Sequence, residues 1–376
     1  MTCGFTLLSP SAEQARRDLD SLSRRLDALG IGADLLLSIG EQPAGVHGVL
    51  TPEALTRWTP GFDTLGLSQR CEAARGESTQ AVEVETVLAL AASPIPLEFP
   101  SLQEWEGALR MRQDIVWAAR RTTMDFHTAR VDRPVAFWDY DEDSGFILRP
   151  GADLVEALIH ATQPAVSGRQ YAFSCYRATE YILLLGLAQE ARRCHPALYE
   201  ALQQQWRTHA VASGRFHDCF LQEWGSNEEP LPATWYVPGD RVWFRNPDEP
   251  SSDASGYEGS WVIYLGQGQF ANFWKPDRPY DLTRKCVEVY HWRDGTWTDS
   301  EGDLRMDESI VEQKVQATLA DPAATAAVLQ RMQRYKDGRG IYADGGCMDT
   351  TRESPRWVGP QHCAVTLPDV TIRCGH

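Results

Sequence analysis

The run Tyr181-Ile182-Leu183-Leu184-Leu185-Gly186-Leu187 constrains this chain more than any other, and it is entered from Tyr171-Ala172-Phe173-Ser174-Cys175-Tyr176-Arg177-Ala178-Thr179. A helix apolar nearly all round cannot lie on a surface, so the fold must close around it. Ser174 is a preferred N-cap residue, which starts the helix at Cys175 and carries it to about residue 193. Cys175 then occupies the first turn, where unpaired backbone N–H groups and the positive end of the macrodipole favour thiolate over thiol. A sulfur held rigidly there is placed for nucleophilic chemistry. A lone cysteine beside a buried helix is nonetheless more often structural, so this pattern alone does not decide its role.

The rest of the chain divides by texture. In residues 11–29 the positions Ala15, Leu19, Leu22, Leu26 and Leu29 recur every three or four residues and Gly30 follows, predicting an amphipathic helix with its stop. Residues 33–39 read as a strand and 52–58 as a short helix, while 82–91 leave strand and helix open. With the turn-rich residues 59–78 these make an N-terminal α/β region. Pro94-Ile95-Pro96-Leu97-Glu98-Phe99-Pro100 reads as an extended connector, because each proline pushes its predecessor out of the helical region. Helices are predicted over 101–121, 152–162 and from Pro196 to about 212. Strands are predicted over 241–245, 261–265, 269–274 and 287–292, and two helices over 308–319 and 322–335. The expected division is an accessory α/β region (1–97), an α+β core (98–300) and a helical and irregular C-terminal extension (301–376).

Composition removes several classes of function. A net charge of −16 opposes binding to nucleic acid or to an anionic membrane, both of which reward a positive surface. No apolar stretch approaches the ~18–20 residues that span a bilayer. The nine cysteines are dispersed and odd in number, which fits a reducing compartment, and the N-terminal residues lack a secretory pattern. A cytoplasmic protein is expected; export by a signal-independent route would leave no trace. Lysine is scarce: Lys275, Lys285, Lys314 and Lys336 stand among 36 basic residues.

Four stretches carry a family resemblance. They are Ser101-Leu102-Gln103-Glu104-Trp105 with Leu109 to Val116, the Tyr-Ala-Phe-x-Cys stretch ending at Cys175, Pro238-Gly239-Asp240-Arg241-Val242-Trp243-Phe244-Arg245-Asn246-Pro247-Asp248, and Gly259-Ser260-Trp261-Val262-Ile263-Tyr264-Leu265-Gly266. By their order and spacing, residues 101 to about 274 resemble the bacterial spore-coat type of protein-glutamine γ-glutamyltransferase. The resemblance implies a papain-like, NlpC/P60-related core in which Cys175 forms a thioester with a protein glutamine side chain. A lysine or another amine then takes the acyl group. The partners implied are a glutamine-bearing protein and an amine, with no cofactor; the oligomeric state is open.

The chain departs from the family at the auxiliary groups. Ser174 and Ser260 stand where the family has glutamates, and Phe270-Ala271-Asn272 stands where Phe-Ala-His is expected. Glu258, two residues before Ser260 and on the same strand face, is one candidate replacement. Asn272 is a second, able to orient a base or donate to an oxyanion but not to exchange protons near neutrality. His291 is a third, on a strand expected to adjoin the sheet and with an intrinsic pKa suited to a thiol's base. Asp240 and Asp248 are expected to make turns, and Glu180 is expected not to reach the sulfur. Neither His209-x7-His217-x-Cys219 nor Cys347, His362, Cys363, Cys374 and His376 has paired metal-ligand spacing, so no metal is expected. Two further readings follow from the displaced groups: a glutamine deamidase or amidase acting as a toxin-like effector, and an inactive binding protein on the same fold.

Overall fold

The computed structural model describes residues 3–41, 43–125, 131–142, 145–211, 213–336, 345–360 and 362–367. It is a mixed α+β structure. The predicted first helix is Ala12–Ala28, with the Ser11 side chain accepting from the Gln14 backbone N–H at 3.2 Å. The ambiguous residues 82–91 belong to the helix Thr79–Ala91, capped by Ser78. Its residues from Val84 to Ala91 are buried without a break, so no polar face existed to reveal the helical period.

Around these helices lies a four-stranded sheet in the order Leu35–Glu41, Ala44–Leu50, Phe5–Leu8, Leu97–Phe99. The last strand runs parallel to the third, so the proline-flanked connector contributes an edge strand. The apolar core built on Phe5, Leu22 and Val46 continues through Trp105 to Trp235 and Val237. The N-terminal sheet therefore shares its interior with the helix Leu102–Arg121.

That helix packs on Cys175–Cys194, the helix expected at the centre, whose residues from Ala178 to Ala188 are all buried. The two come close at Gly186, where an added Cβ would stand 2.4 Å from Ile115 Cγ1 and 3.1 Å from the Met111 carbonyl oxygen. Only glycine allows that approach.

A six-stranded antiparallel sheet covers the other side, in the order Tyr280–Asp281, Gln269–Phe270, Gly259–Gly266, Arg241–Arg245, Arg352–Pro355, Leu221–Trp224. Two sequence expectations need correction here. The strand predicted over 269–274 ends at Phe270, because Asn272 folds the chain back on itself. Residues 287–292 are not a strand but part of the helix Leu282–Gly295, started by Asp281, whose carboxylate accepts from the Arg284 N–H at 2.6 Å. Leu282, Lys285, Cys286, Val289 and Trp292 form its buried helical stripe. The helices Glu308–Leu319 and Pro322–Met332 follow, the first packed against Leu282–Gly295. Among the described residues no helix is long and apolar enough to cross a membrane.

Candidate active site

Ser174 is extended at φ −75° and ψ 155°, and its hydroxyl accepts from the Arg177 N–H at 3.2 Å, which places Cys175 as the first helical residue. Across from it runs the strand Gly259–Gly266. Its Trp261 N–H and the Tyr176 N–H both donate toward the Cys175 sulfur. Cys175, Ser260, Asn272, Trp274, Lys285 and Trp292 face one pocket, partly open to solvent.

The electrostatics differ from the helix-terminus expectation. Burial pushes the Cys175 thiol up from its ordinary value; the Trp261 N–H, the Lys285 charge and the Tyr176 N–H pull it back, and Glu258 pushes it up again. Desolvation outweighs the first-turn donors and the Lys285 charge together.

The second wall is polar. Lys285 is 1% exposed, its Nζ lies 3.3 Å from Glu288 Oε1 and 4.0 Å from the centroid of the Tyr280 ring. The Tyr280 hydroxyl donates to the same Glu288 oxygen at 3.3 Å. From the next helix Glu308 and Glu312 reach the pocket; Glu308 accepts from the Tyr257 hydroxyl at 3.0 Å and Glu312 from Arg284 at 2.8 Å.

Behind Cys175 a charged layer holds the donors in place. The Arg241 guanidinium lies 4.3 Å from the Trp261 ring centroid and 4.7 Å from that of Tyr176, and it pairs with Glu353. Glu180 pairs with Arg177 in the same layer and, as expected, does not bond to the sulfur. Burial pushes the Glu180 carboxyl up to about 7.

The candidates named from sequence are spread unevenly. Glu258 is exposed just before the Gly259–Gly266 strand and acts on Cys175 through its charge rather than by lining the pocket. Asn272 lines the pocket, but its amide is engaged: Nδ2 donates to the Arg278 carbonyl at 3.1 Å, and Oδ1 accepts from the Trp274 and Lys275 N–H groups. His291 is not on a sheet strand beside the site. It sits on the helix, with Nδ1 2.6 Å from Asp294 and Nε2 2.7 Å from the Thr318 hydroxyl, and it does not line the pocket.

Asp248 caps a turn through the Ser251 N–H, and Asp240 accepts from the Val237 N–H while also pairing with Arg112 at 2.8 Å. Among the described residues no group of three His, Cys, Asp or Glu side chains gathers as metal ligands, and Cys374 and His376 lie outside the described residues. Lys285, Glu288, Glu308 and Glu312 line the pocket and were not among the candidates named from the sequence. The available signals were the rarity of lysine and the Asp281 cap three residues before Arg284.

Comparison with known proteins bears on this arrangement. A search of curated proteins gave no match. Among solved structures the chain is similar to a transglutaminase from Geobacillus stearothermophilus, without its C-terminal extension, at TM-score 0.39 and 20% identity, covering 57% of this chain and 98% of that one. The family model for protein-glutamine gamma-glutamyltransferase matches residues 66–331, a span that includes the Cys175 helix, the strand donating to its sulfur and the two helices of the opposite wall. By that match the chain belongs to the protein-glutamine gamma-glutamyltransferase family, as a transglutaminase-like acyltransferase.

Proposed function

We propose that Cys175 is the nucleophile of this acyltransferase and that its helix and the antiparallel sheet form a papain-like core. The observation that carries the reading is the Cys175 sulfur at the start of a buried helix, facing the pocket and two backbone donors. Sγ adds to a glutamine carboxamide carbon and the carbonyl electron pair moves onto oxygen. Donors already aimed at the sulfur suit the developing charge. When the pair returns, the C–N bond breaks and the nitrogen leaves as ammonia, carrying the proton that began on the thiol. In the second half an amine nitrogen adds to the thioester, the C–S bond breaks, and the amine's proton returns to sulfur.

Glu288, Glu308 and Glu312 at the pocket favour a positively charged acceptor, which supports an amine over water; the ammonium releases one proton to solvent before the neutral amine adds, and the second proton is the one that returns to sulfur. The substrates are thus a glutamine-bearing protein and a lysine or other primary amine. The helix Glu308–Leu319 makes the C-terminal extension part of the site. Glu258 tunes the thiol from outside, Asn272 shapes the wall at 272–278, and His291 ties two helices together without a chemical role.

The test compares wild type with Cys175→Ala on a glutamine-containing protein, following ammonia release and incorporation of a labelled primary amine. Both signals are expected to vanish in the variant. Ammonia without incorporation would make the enzyme a deamidase, and incorporation that survives the substitution would remove Cys175 from the chemistry.

A further inference from the structure

The chain uses arginine almost wherever it needs a cation, yet of its four lysines two, Lys275 and Lys285, line the pocket that holds Cys175. Lys275 is exposed at the mouth, whereas Lys285 is 1% exposed. Burying an ammonium is expensive unless its charge is compensated. The compensation in its surroundings is modest: one Glu288 oxygen at 3.3 Å, itself shared with the Tyr280 hydroxyl, the face of the Tyr280 ring and, farther off at 5.8 Å, that of Trp292. Glu288 is also 19% exposed, so solvent weakens that pair. A compact ammonium left short of negative charge, in a cavity with a buried sulfur, has its missing counter-charge in the reaction itself.

We propose that Lys285 is the electrostatic partner of Cys175, holding negative charge on the sulfur and then on the tetrahedral oxygen, with Glu288 as the residue that positions it. Lys285 gives up no proton in either half-reaction. The thiol's proton still leaves with ammonia and the amine's proton still restores the thiol, so the lysine's contribution is a fixed charge. A lysine ammonium, a compact point charge on a flexible stem, can be aimed at a single sulfur or oxygen. Lysine suits this better than arginine, whose planar fork is built for bidentate pairing rather than for a point charge.

Other charges bear on the same sulfur. Glu258 opposes its ionisation from the strand side, and the Glu308–Leu319 helix brings Glu308 and Glu312. Tyr257 and Tyr280 complete the titratable wall, each hydroxyl committed to a glutamate. Among the positive charges nearby, Arg284 is committed to Glu312 and Arg241 to Glu353 behind the sulfur, whereas Lys285 and the exposed Lys275 line the pocket itself.

The inference rests on Cys175 as the nucleophile, but its test needs no acyl substrate. The rate at which iodoacetamide alkylates Cys175 in the full chain, read by peptide mass, is followed from about pH 5.5 to about pH 10. In Lys285→Met the profile is expected to move to higher pH, with alkylation at pH ~7.5 slowed by about tenfold. Lys285→Arg is expected to stay within about threefold of wild type, because it keeps the charge. Glu288→Gln removes the carboxylate that partly neutralises the ammonium, so its profile is expected to move to lower pH.

A Lys285→Met profile that superimposes on wild type overturns the proposal, as does a Lys285→Arg profile displaced as far as that of Lys285→Met. Should Lys285→Met not fold by circular dichroism, Glu288→Gln decides, and a shift to higher pH overturns the proposal. If these profiles behave as expected while amine incorporation survives Cys175→Ala, the reading of Cys175 fails and the electrostatic pairing stands. If incorporation depends on Cys175 but the profiles do not move, only the pairing fails.

Discussion

Two buried cations, Arg112 and Lys285, sit in regions with opposite demands. Arg112, 3% exposed in the seam between the Leu102–Arg121 helix and the sheet, donates to the Pro238 carbonyl and to Asp240 at 2.8 Å and to the Ser354 hydroxyl at 2.6 Å. It closes the turn in which Gly239, at φ +88°, lies so near that a Cβ would stand 3.3 Å from the arginine's own backbone. Lys285, buried as deeply, has one partly exposed carboxylate and the rings of Tyr280 and, farther off, Trp292, and faces a cavity. A saturated buried charge fastens elements together. One left short of partners beside an open pocket is available to charge that arrives later.

The sharpest way to break this contrast is to remove each cation. Arg112→Met leaves Asp240 buried without its partner, and breaking such a pair is expected to cost about 3–5 kcal/mol in urea unfolding. Lys285→Met replaces an ammonium by an apolar chain of similar length and leaves behind a carboxylate that water can reach. Its stability is expected to stay level or rise by about 1 kcal/mol. Equal losses in the two variants would mean that Lys285 is as structural as Arg112, and the contrast would collapse.

Buried carboxyls sharpen it next. Glu85, 1% exposed, accepts from the Tyr264 hydroxyl at 2.8 Å and from the Gln267 N–H at 2.8 Å, yet burial pushes it up to about 7. Glu180, beside Arg177, is also pushed up to about 7. Both folded values lie above the ordinary 4.5, so the folded chain keeps protons that the unfolded chain releases between 4.5 and about 7. Stability from these groups is fully present below 4.5 and falls as pH rises to about 7. Each group loses up to about 3 kcal/mol over that window. Unfolding free energies at pH ~5 and pH ~8 should differ in that sense, and Glu85→Gln and Glu180→Gln should each flatten the slope. An unchanged slope in both would show that their hydrogen bonds, not burial, set their ionisation.

How much of this was legible in the sequence follows the same division. The Cys175 helix could be read because apolarity on all sides and a capping serine are local signals. The Arg112–Asp240 pair could not, because its members are 128 residues apart and Asp240 looked like an ordinary turn residue. Lys285 was hidden by a misread period. Val287-Glu288-Val289-Tyr290 alternates as a strand would, and a helix buried against the sheet on one side and Glu308–Leu319 on the other offers no clean polar face to contradict it. That misreading also put His291 beside the sheet, where it seemed a base, instead of against Thr318. Ser174, Ser260 and Asn272 were correctly seen to lack ionisable groups, but what stands in for them comes from a helix beyond the expected strands.

Ser174 offers the smallest test and joins the two themes, since it caps the helix and adjoins the nucleophile. Ser174→Ala removes the acceptor of the Arg177 N–H and is expected to cost about 1 kcal/mol of stability. The alkylation profile of Cys175 should hardly move, because the serine is uncharged and the donors aimed at the sulfur belong to Tyr176 and Trp261. Ser174→Asp keeps a capping oxygen and so should hold stability within about 0.5 kcal/mol of wild type. It also places a negative charge one residue from a sulfur already opposed by Glu258, so its alkylation profile should move to higher pH. Stability and reactivity would then separate at a single position, alanine touching the first and aspartate the second. If aspartate left the profile in place, the nucleophile would be insulated from side-chain charge on its own chain side, and beyond the Tyr176 and Trp261 donors the charge that ionises it would come from the opposite wall, where Lys285 lies.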